Sequence, residues 1–298
     1  MQSRHDPTWL DAQYNHRARV PDHAQVMARW AQASALARTG AAGARLDVRY
    51  GASAGETLDI FPAVQPSARP GAQLGAQPAA PVLVFIHGGY WRSLDKADHS
   101  FVAPSFNADG AAVVVPNYAL CPAVSIEHIT LQMAAVVAWV WRHAASFGAD
   151  PARIALAGHS AGGHLAAMLL CCRWKEVADD LPAQPLSGAL ALSGLYDLEP
   201  LRHTPMLQGD LKLTPSAVAR LSPAFFPRPK GAKLHAVVGL DESDEFLRQN
   251  TLIRDVWGPT AVPVCQTVPG CNHFTVLNQL ADPRSRVHDL ALRLLGLR

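Results

Sequence analysis

The hydrophobic pattern changes character along the chain. The first 40 residues read as helical, most clearly over 22–38, an alanine-rich stretch with Asp22 as candidate N-cap. Residues 45–50 and 57–61 alternate apolar and polar positions around a glycine-containing turn, which predicts an antiparallel hairpin. Residues 62–81 are rich in Pro, Ala, Gly and Gln and predict an exposed loop. From residue 82 onward the pattern becomes short continuous apolar runs, at 82–86, 111–115, 154–157, 190–192, 234–238 and 262–268. Runs of that kind fit strands buried on both faces. Helical segments fall between or after them, at 126–145, 161–172, 244–256 and 284–297. Strand–helix alternation predicts an α/β fold with a mostly parallel sheet and helices on both faces. The Pro-rich stretch 196–229 interrupts the alternation and predicts a small cap set into the domain. With no internal repeat and no linker, 1–298 is expected to be one domain, with a helical segment over 1–40 and the cap over 195–230.

Composition narrows the class. Apolar residues make up 49% and charged residues 17%, so the chain is not a disordered one. Lys and Arg total 26 against 24 Asp and Glu, a net charge of +2 that gives no electrostatic case for nucleic acid or an anionic membrane as partner. The strongest apolar stretch, near 134–141, is far short of the roughly 20 residues that cross a bilayer. The start of the chain shows no apolar signal region, and the five cysteines have no CxxC spacing. A reduced, cytoplasmic protein without structural zinc is expected, with Cys171 and Cys172 as small core residues. Oligomeric state, monomer or homodimer, is open.

The chemistry concentrates in three places. Gly158-His159-Ser160-Ala161-Gly162 follows an apolar run and opens a helical one. A serine on a sharp strand-to-helix turn, flanked by small residues, stands clear of the sheet as a nucleophile. His87-Gly88-Gly89-Tyr90-Trp91 follows the strand at 82–86. Such a turn offers backbone N–H groups, here near Gly88 and Gly89, to an oxyanion, and the N–H of Ala161 adds another.

A serine nucleophile needs a base and the base an orienting acid, in the chain order Ser, acid, His. Of 13 histidines, His273 lies in the right place, after the last strand-like run and a Pro-Gly-Cys-Asn turn. His159 and His164 lie too near the elbow in sequence and read as packing residues, while His87 braces the oxyanion turn. The acid belongs in the loop after 234–238, where Asp241, Glu242, Asp244 and Glu245 all qualify and spacing does not choose among them. Asp244 also fits the first turn of the next helix, and Asp197 fits a turn.

Together these residues resemble the α/β-hydrolase superfamily, within it the hormone-sensitive-lipase-like esterases, and most closely the arylformamidase (kynurenine formamidase) branch. The likeness rests on Tyr14-Asn15-His16-Arg17 with Val20-Pro21-Asp22, the His87–Trp91 and Gly158–Leu165 stretches, Ser193–Leu201, Glu242-Ser243-Asp244-Glu245-Phe246 with Arg248-Gln249, and Asn272-His273-Phe274. It covers the chain from about residue 14 to the end. It implies an α/β-hydrolase fold and a Ser160–His273–Glu242 triad, the acid taking the first position of a [DE]-S-x-E-F motif, with Asp244 second. It also implies cleavage of an aryl formamide such as N-formyl-L-kynurenine, or else of small acyl or aryl esters, without metal or cofactor. Tyr90 and Trp91, and more weakly Tyr196, are expected beside the substrate, with core packing the alternative for Trp91. A hydrolase-fold scaffold without catalysis would be expected to have lost the nucleophile or the base, and this chain keeps both.

Overall fold

A computed structural model describes residues 6–64 and 79–298. Eight strands form one sheet: β1 (Arg45–Arg49), β2 (Thr57–Phe61), β3 (Ala80–Ile86), β4 (Ala112–Pro116), β5 (Ala149–His159), β6 (Leu186–Leu192), β7 (Lys233–Gly239) and β8 (Val264–Val268). Their order is β1-β2-β4-β3-β5-β6-β7-β8. The first two strands form the expected hairpin, β2 runs antiparallel to β4, and every later pairing is parallel. The loop expectation for 62–81 falls mostly outside the described residues. Of its described end, Ala80 and Pro81 already belong to β3.

Period-2 alternation divides the central strands between two cores. Val82, Val84, Ile86, Ile154 and Leu156 face one side, where α5 (Ile126–His143) and α6 (Ala161–Leu170) pack. Leu83, Phe85, Ala155 and Ala157 face the other, with residues of α3 (His23–Gly40), α4 (Ala103–Ala108), α12 (Thr275–Ala281) and α13 (Arg286–Leu294). Truncating one such buried Leu to Ala costs about 2–5 kcal/mol. Seven further α-helices lie among the described residues: α1 (Pro7–Tyr14), α2 (His16–Arg19), α7 (Trp174–Val177), α11 (Asp244–Ala261) and the trio between β6 and β7. That trio, α8 (Glu199–Arg202), α9 (Pro205–Leu211) and α10 (Pro215–Leu221), lies within the Pro-rich stretch. Each of the three has proline in its first turn, where the missing N–H is not needed.

Several boundaries differ from the sequence expectation for physical reasons. Asp22 sits at the N-cap of α3, but its side chain makes no capping hydrogen bond. The last strand, β8, is half-buried rather than enclosed, because it is the sheet edge and has β7 alone beside it. α6 stops at Leu170, leaving Cys171 and Cys172 half-buried beyond its end. α11 runs on to Ala261 across a kink at Gly258-Pro259. α12 begins two residues after His273 and is a helix the sequence reading did not give, since it placed its last helix at 284–297.

Candidate active site

The parallel strands β3, β5, β6 and β7 all end at one edge of the sheet, the position where open α/β sheets place their sites. Ser160 stands there between β5 and α6 with φ 56° and ψ −116°. A non-glycine residue in so sparsely populated a region costs about 1–3 kcal/mol and persists only where the surroundings hold it. They do: the Ser160 N–H donates to the Leu192 carbonyl at 2.8 Å. Gly162 explains the closeness of the packing below, since a β-carbon there would lie 2.0 Å from the Ile86 carbonyl oxygen. At Gly88 a β-carbon would meet the His159 carbonyl oxygen at 2.9 Å and Ser160 Cβ at 3.2 Å. The two glycine-rich motifs are therefore one interlocked structure. Ala161 begins α6, so its N–H is among those without an intrahelical acceptor.

The turn after β3 is braced from beneath. His87 is wholly buried and stacks on Tyr118 with ring centroids 4.2 Å apart. The Tyr118 hydroxyl donates to the His87 carbonyl at 2.9 Å, and His87 Nε2 lies 3.3 Å from Asn117 Oδ1, whose amide in turn donates to Asp95 at 2.8 Å. Burial holds the His87 imidazole below its usual range. Gly89, Tyr90 and Trp91 follow with φ of 101°, 51° and 55°.

His273 lies in the loop between β8 and α12, and its Nδ1 is 2.7 Å from Glu242 Oε2. The other oxygen, Oε1, accepts from Ser193 Oγ at 2.5 Å and from the Gly239 N–H at 2.9 Å. The Asp241 N–H donates to the Cys271 carbonyl at 3.0 Å, joining the acid loop to the histidine loop. Asp244 is exposed on the first turn of α11, and Asp197 binds the Glu199 N–H and lies 3.7 Å from Arg248. Of the carboxylates open on sequence grounds, the structure sets Glu242 against His273.

Two more histidines surround this pair. His16, from α2, stacks on His273 with centroids 3.5 Å apart and planes 9° from parallel. His159 lies 4.8 Å from the same ring, and its Nε2 is 2.8 Å from the His273 carbonyl. Burial, then the neighbouring His273, drive both well below the ordinary histidine range. A cavity of about 300 Å³ opens over Ser160 and His273, walled by Trp30, Tyr90, Met206 and Phe274. A second, of about 250 Å³, lies behind Glu242 and shares His16 and His273 with the first.

Of the residues expected beside a substrate, Tyr90 lines the main cavity, its hydroxyl donating to the Tyr14 carbonyl at 2.7 Å. Trp91 and Tyr196 do not line it. Trp91 is wholly buried and meets His164 edge-on at 4.9 Å, and Tyr196 is wholly buried. Both are core residues in this structure, and the aromatic surface comes instead from Trp30 and Phe274. His164 also behaves as a packing residue, with Nε2 2.7 Å from the Leu221 carbonyl. Among the described residues, His16, Glu242 and His273 are the group whose ligand atoms come close enough to hold a metal ion, all within 4.8 Å of one another. The stack works against a shared ion. An imidazole lone pair lies in its ring plane, and two near-parallel planes 3.5 Å apart do not aim at one point.

Comparison with known proteins shows the family. A profile described as alpha/beta hydrolase fold matches residues 83–252. The chain belongs to the α/β-hydrolase family. This α/β hydrolase is 30% identical to a kynurenine formamidase of Danio rerio over 84% of its own length and 82% of that protein. It is 36% identical to the carboxylesterase NlhH of Mycobacterium tuberculosis over a shorter span, 36% of this chain and 32% of that protein. A solved structure from Silicibacter sp. TM1040, assigned provisionally as a thioesterase, superposes with a TM-score of 0.79 at 32% identity, covering 95% of this chain and 98% of that one.

Within this α/β hydrolase two of the stretches that carry the resemblance also meet. Tyr14 donates to Glu245 at 2.9 Å, and Arg248 holds the same carboxylate at 2.8 and 2.9 Å. Gln249 accepts from the Tyr196 and Asp197 N–H groups and donates to the Asp197 carbonyl. The Glu242–Gln249 segment thus anchors the N-terminal Tyr14–Arg17 segment across the site, which brings His16 onto His273. Sequence reasoning passed over His16, Ser193 and Trp30, although the first two stand inside motifs it had singled out.

Proposed function

We propose that this chain is a serine hydrolase that cleaves N-formyl-L-kynurenine to kynurenine and formate. The observation that carries the reaction class is Glu242 against His273 beside a strained Ser160. Ser160 Oγ attacks the formyl carbon while His273 Nε2 takes its proton. Glu242 accepts from His273 Nδ1, fixing the tautomer and offsetting the charge of the imidazolium. The N–H groups near Gly88, Gly89 and Ala161 receive the oxyanion, the term worth most in such sites. The C–N bond breaks as His273 returns its proton to the aryl amine. Water, deprotonated by His273, then hydrolyses the formyl ester of Ser160 and releases formate.

The likeness to kynurenine formamidase across most of both chains supports the formamide substrate. So does the cavity. Trp30, Tyr90 and Phe274 suit an aryl ring, and Arg17, Arg92 and Asp210 line the same cavity with charges of both signs. An α-amino acid end presents the complementary pair. Arg92 is already bonded to Asp210, and no described acid lies within ion-pair reach of Arg17, which is exposed. A carboxylesterase for small acyl or aryl esters is the second reading, favoured by the NlhH likeness.

The deciding experiment compares kcat/KM for N-formyl-L-kynurenine with that for p-nitrophenyl acetate and butyrate. Preference for the formamide by about 100-fold or more, roughly 2.7 kcal/mol of transition-state discrimination, is expected. Equal or better turnover of the esters would make the chain an esterase. Ser160→Ala abolishes either activity.

A further inference from the structure

We propose that His16 is a positioning residue for the reaction, acting through His273 by covering one face of its imidazole with a second aromatic ring. The proposal rests on the triad reading above. A base on a loop must hold its ring plane to serve both Ser160 and Glu242, and one hydrogen bond at Nδ1 leaves rotation about that bond free. His16 removes the freedom. Its ring lies 3.5 Å from that of His273 and 9° from parallel. It is itself fixed, by the edge of Phe246 at 4.4 Å and by Tyr90 stacked at 6.1 Å. Phe246, at 4.8 Å, and His159, also at 4.8 Å, touch His273 at steep or tilted angles, so neither lies flat against its face.

His16 does not act as a second base in this arrangement. Its Nε2 is buried without a hydrogen-bond partner among the described residues. Burial, then the adjacent His273 and His159, hold the ring well below the ordinary histidine range, which favours its neutral form. A neutral ring suits the task. When His273 takes the serine proton it becomes a cation, and a π-face against a cation is attractive by the electrostatics of cation–π contacts. A charged neighbour would oppose the same step. His16 and His273 also form the wall shared by both cavities, so removing His16 leaves His273 beside open space.

The test is the rate of fluorophosphonate modification of Ser160, which needs no knowledge of the substrate, measured for His16→Ala, His16→Leu, His16→Phe and His273→Gln. Melting temperatures are taken alongside. His16→Ala is expected to slow labelling by about tenfold or more, His16→Leu to stay near it, and His16→Phe to recover to within about threefold of wild type. Where His16→Ala does not fold, the Phe and Leu variants decide between them. Leu recovering as well as Phe would reduce His16 to a space-filler, and Phe as slow as Ala would show that a ring nitrogen is needed. Either result overturns the proposal, as does a wild-type rate in His16→Ala. His273→Gln reports separately: wild-type labelling there would sink the triad reading, whatever His16 does.

Discussion

Glu242 bridges two side chains, with Oε2 at 2.7 Å from His273 Nδ1 and Oε1 at 2.5 Å from Ser193 Oγ. In the proposed mechanism, neutralising it to an amide would remove the charge that offsets the imidazolium and favour the wrong tautomer. Glu242→Gln is therefore expected to lower kcat by about 10³–10⁴-fold with little loss of fold, while Asp244→Asn, at an exposed site, stays near wild type. Steady-state kinetics of the two variants check this. Full activity in Glu242→Gln would send the search for the acid elsewhere.

Ser193 holds the carboxylate from the far side. Hydrogen bonds to charged groups contribute about 1.5–3 kcal/mol each. The Gly239 N–H still holds Oε1 when Ser193 is truncated, so the lower figure applies. Ser193→Ala is expected to lower kcat about tenfold at nearly constant KM. An unchanged kcat would show that the backbone donor alone orients Glu242.

The fold was legible because its central strands are enclosed on both faces, and enclosure writes continuous apolar runs such as 82–86 and 154–157 into the chain. The candidate site was legible at the two glycine-rich turns, where close packing constrains the backbone itself. It was obscure where a contact depends on the path of a distant segment. Nothing local to Asn15-His16-Arg17 says that this segment crosses the sheet edge. The stack on His273 goes with long-range contacts of this segment, Tyr14 to Glu245 among them. Trp91 was misleading for a related reason. On a turn with φ of 55° no period says which way a side chain points, and here it points into the core.

Arg17 tests the substrate from the other end. If it receives the carboxylate of an amino-acid substrate, Arg17→Ala is expected to raise KM for N-formyl-L-kynurenine about three- to tenfold with kcat unchanged, a modest effect because the residue is exposed. An uncharged aryl formamide such as formanilide should show no such rise. An equal rise for both would mean that Arg17 shapes the entrance and reads no charge.

Lys96 is the buried cation of the structure's hairpin side, donating to Asp59 at 2.7 Å and to Asp47 at 2.6 Å. Asp59 is wholly buried and also bound by Arg38. Removing one partner of a buried pair leaves a charge uncompensated, at a cost of about 3–5 kcal/mol. Because Arg38 and the Asp47 N–H remain on Asp59, Lys96→Met is expected near the low end, about 3 kcal/mol by urea denaturation. Replacing Lys96 and Asp59 together by apolar residues should cost less than Lys96→Met alone. A cost for Lys96→Met below about 1 kcal/mol would place the pair among ordinary surface bridges.

Buried histidines lead to a prediction for the acid stability of the fold. Burial lowers His99 to about 3 and His164 to about 4, and His16, His87 and His159 are held down by the same cause. In the unfolded chain each titrates near 6.5. Below that pH the unfolded state binds protons that the folded state refuses, so stability rises with pH and falls as pH drops. The contribution is complete above about 6.5 and is lost progressively downward, for His164 until about 4. Each histidine adds up to about 1.4 kcal/mol per pH unit in that window. Carboxylates with lowered folded values, such as Glu199 at about 2, act in the same direction but from roughly pH 4.5 downward, so the interval from pH 6.5 to 5 isolates the histidines. Urea denaturation across that interval is expected to show a steep loss, and His164→Gln, which cannot take up a proton, should flatten it by the share of one histidine. A stability that is level between pH 6.5 and 5 would mean that these rings accept protons in the folded state after all.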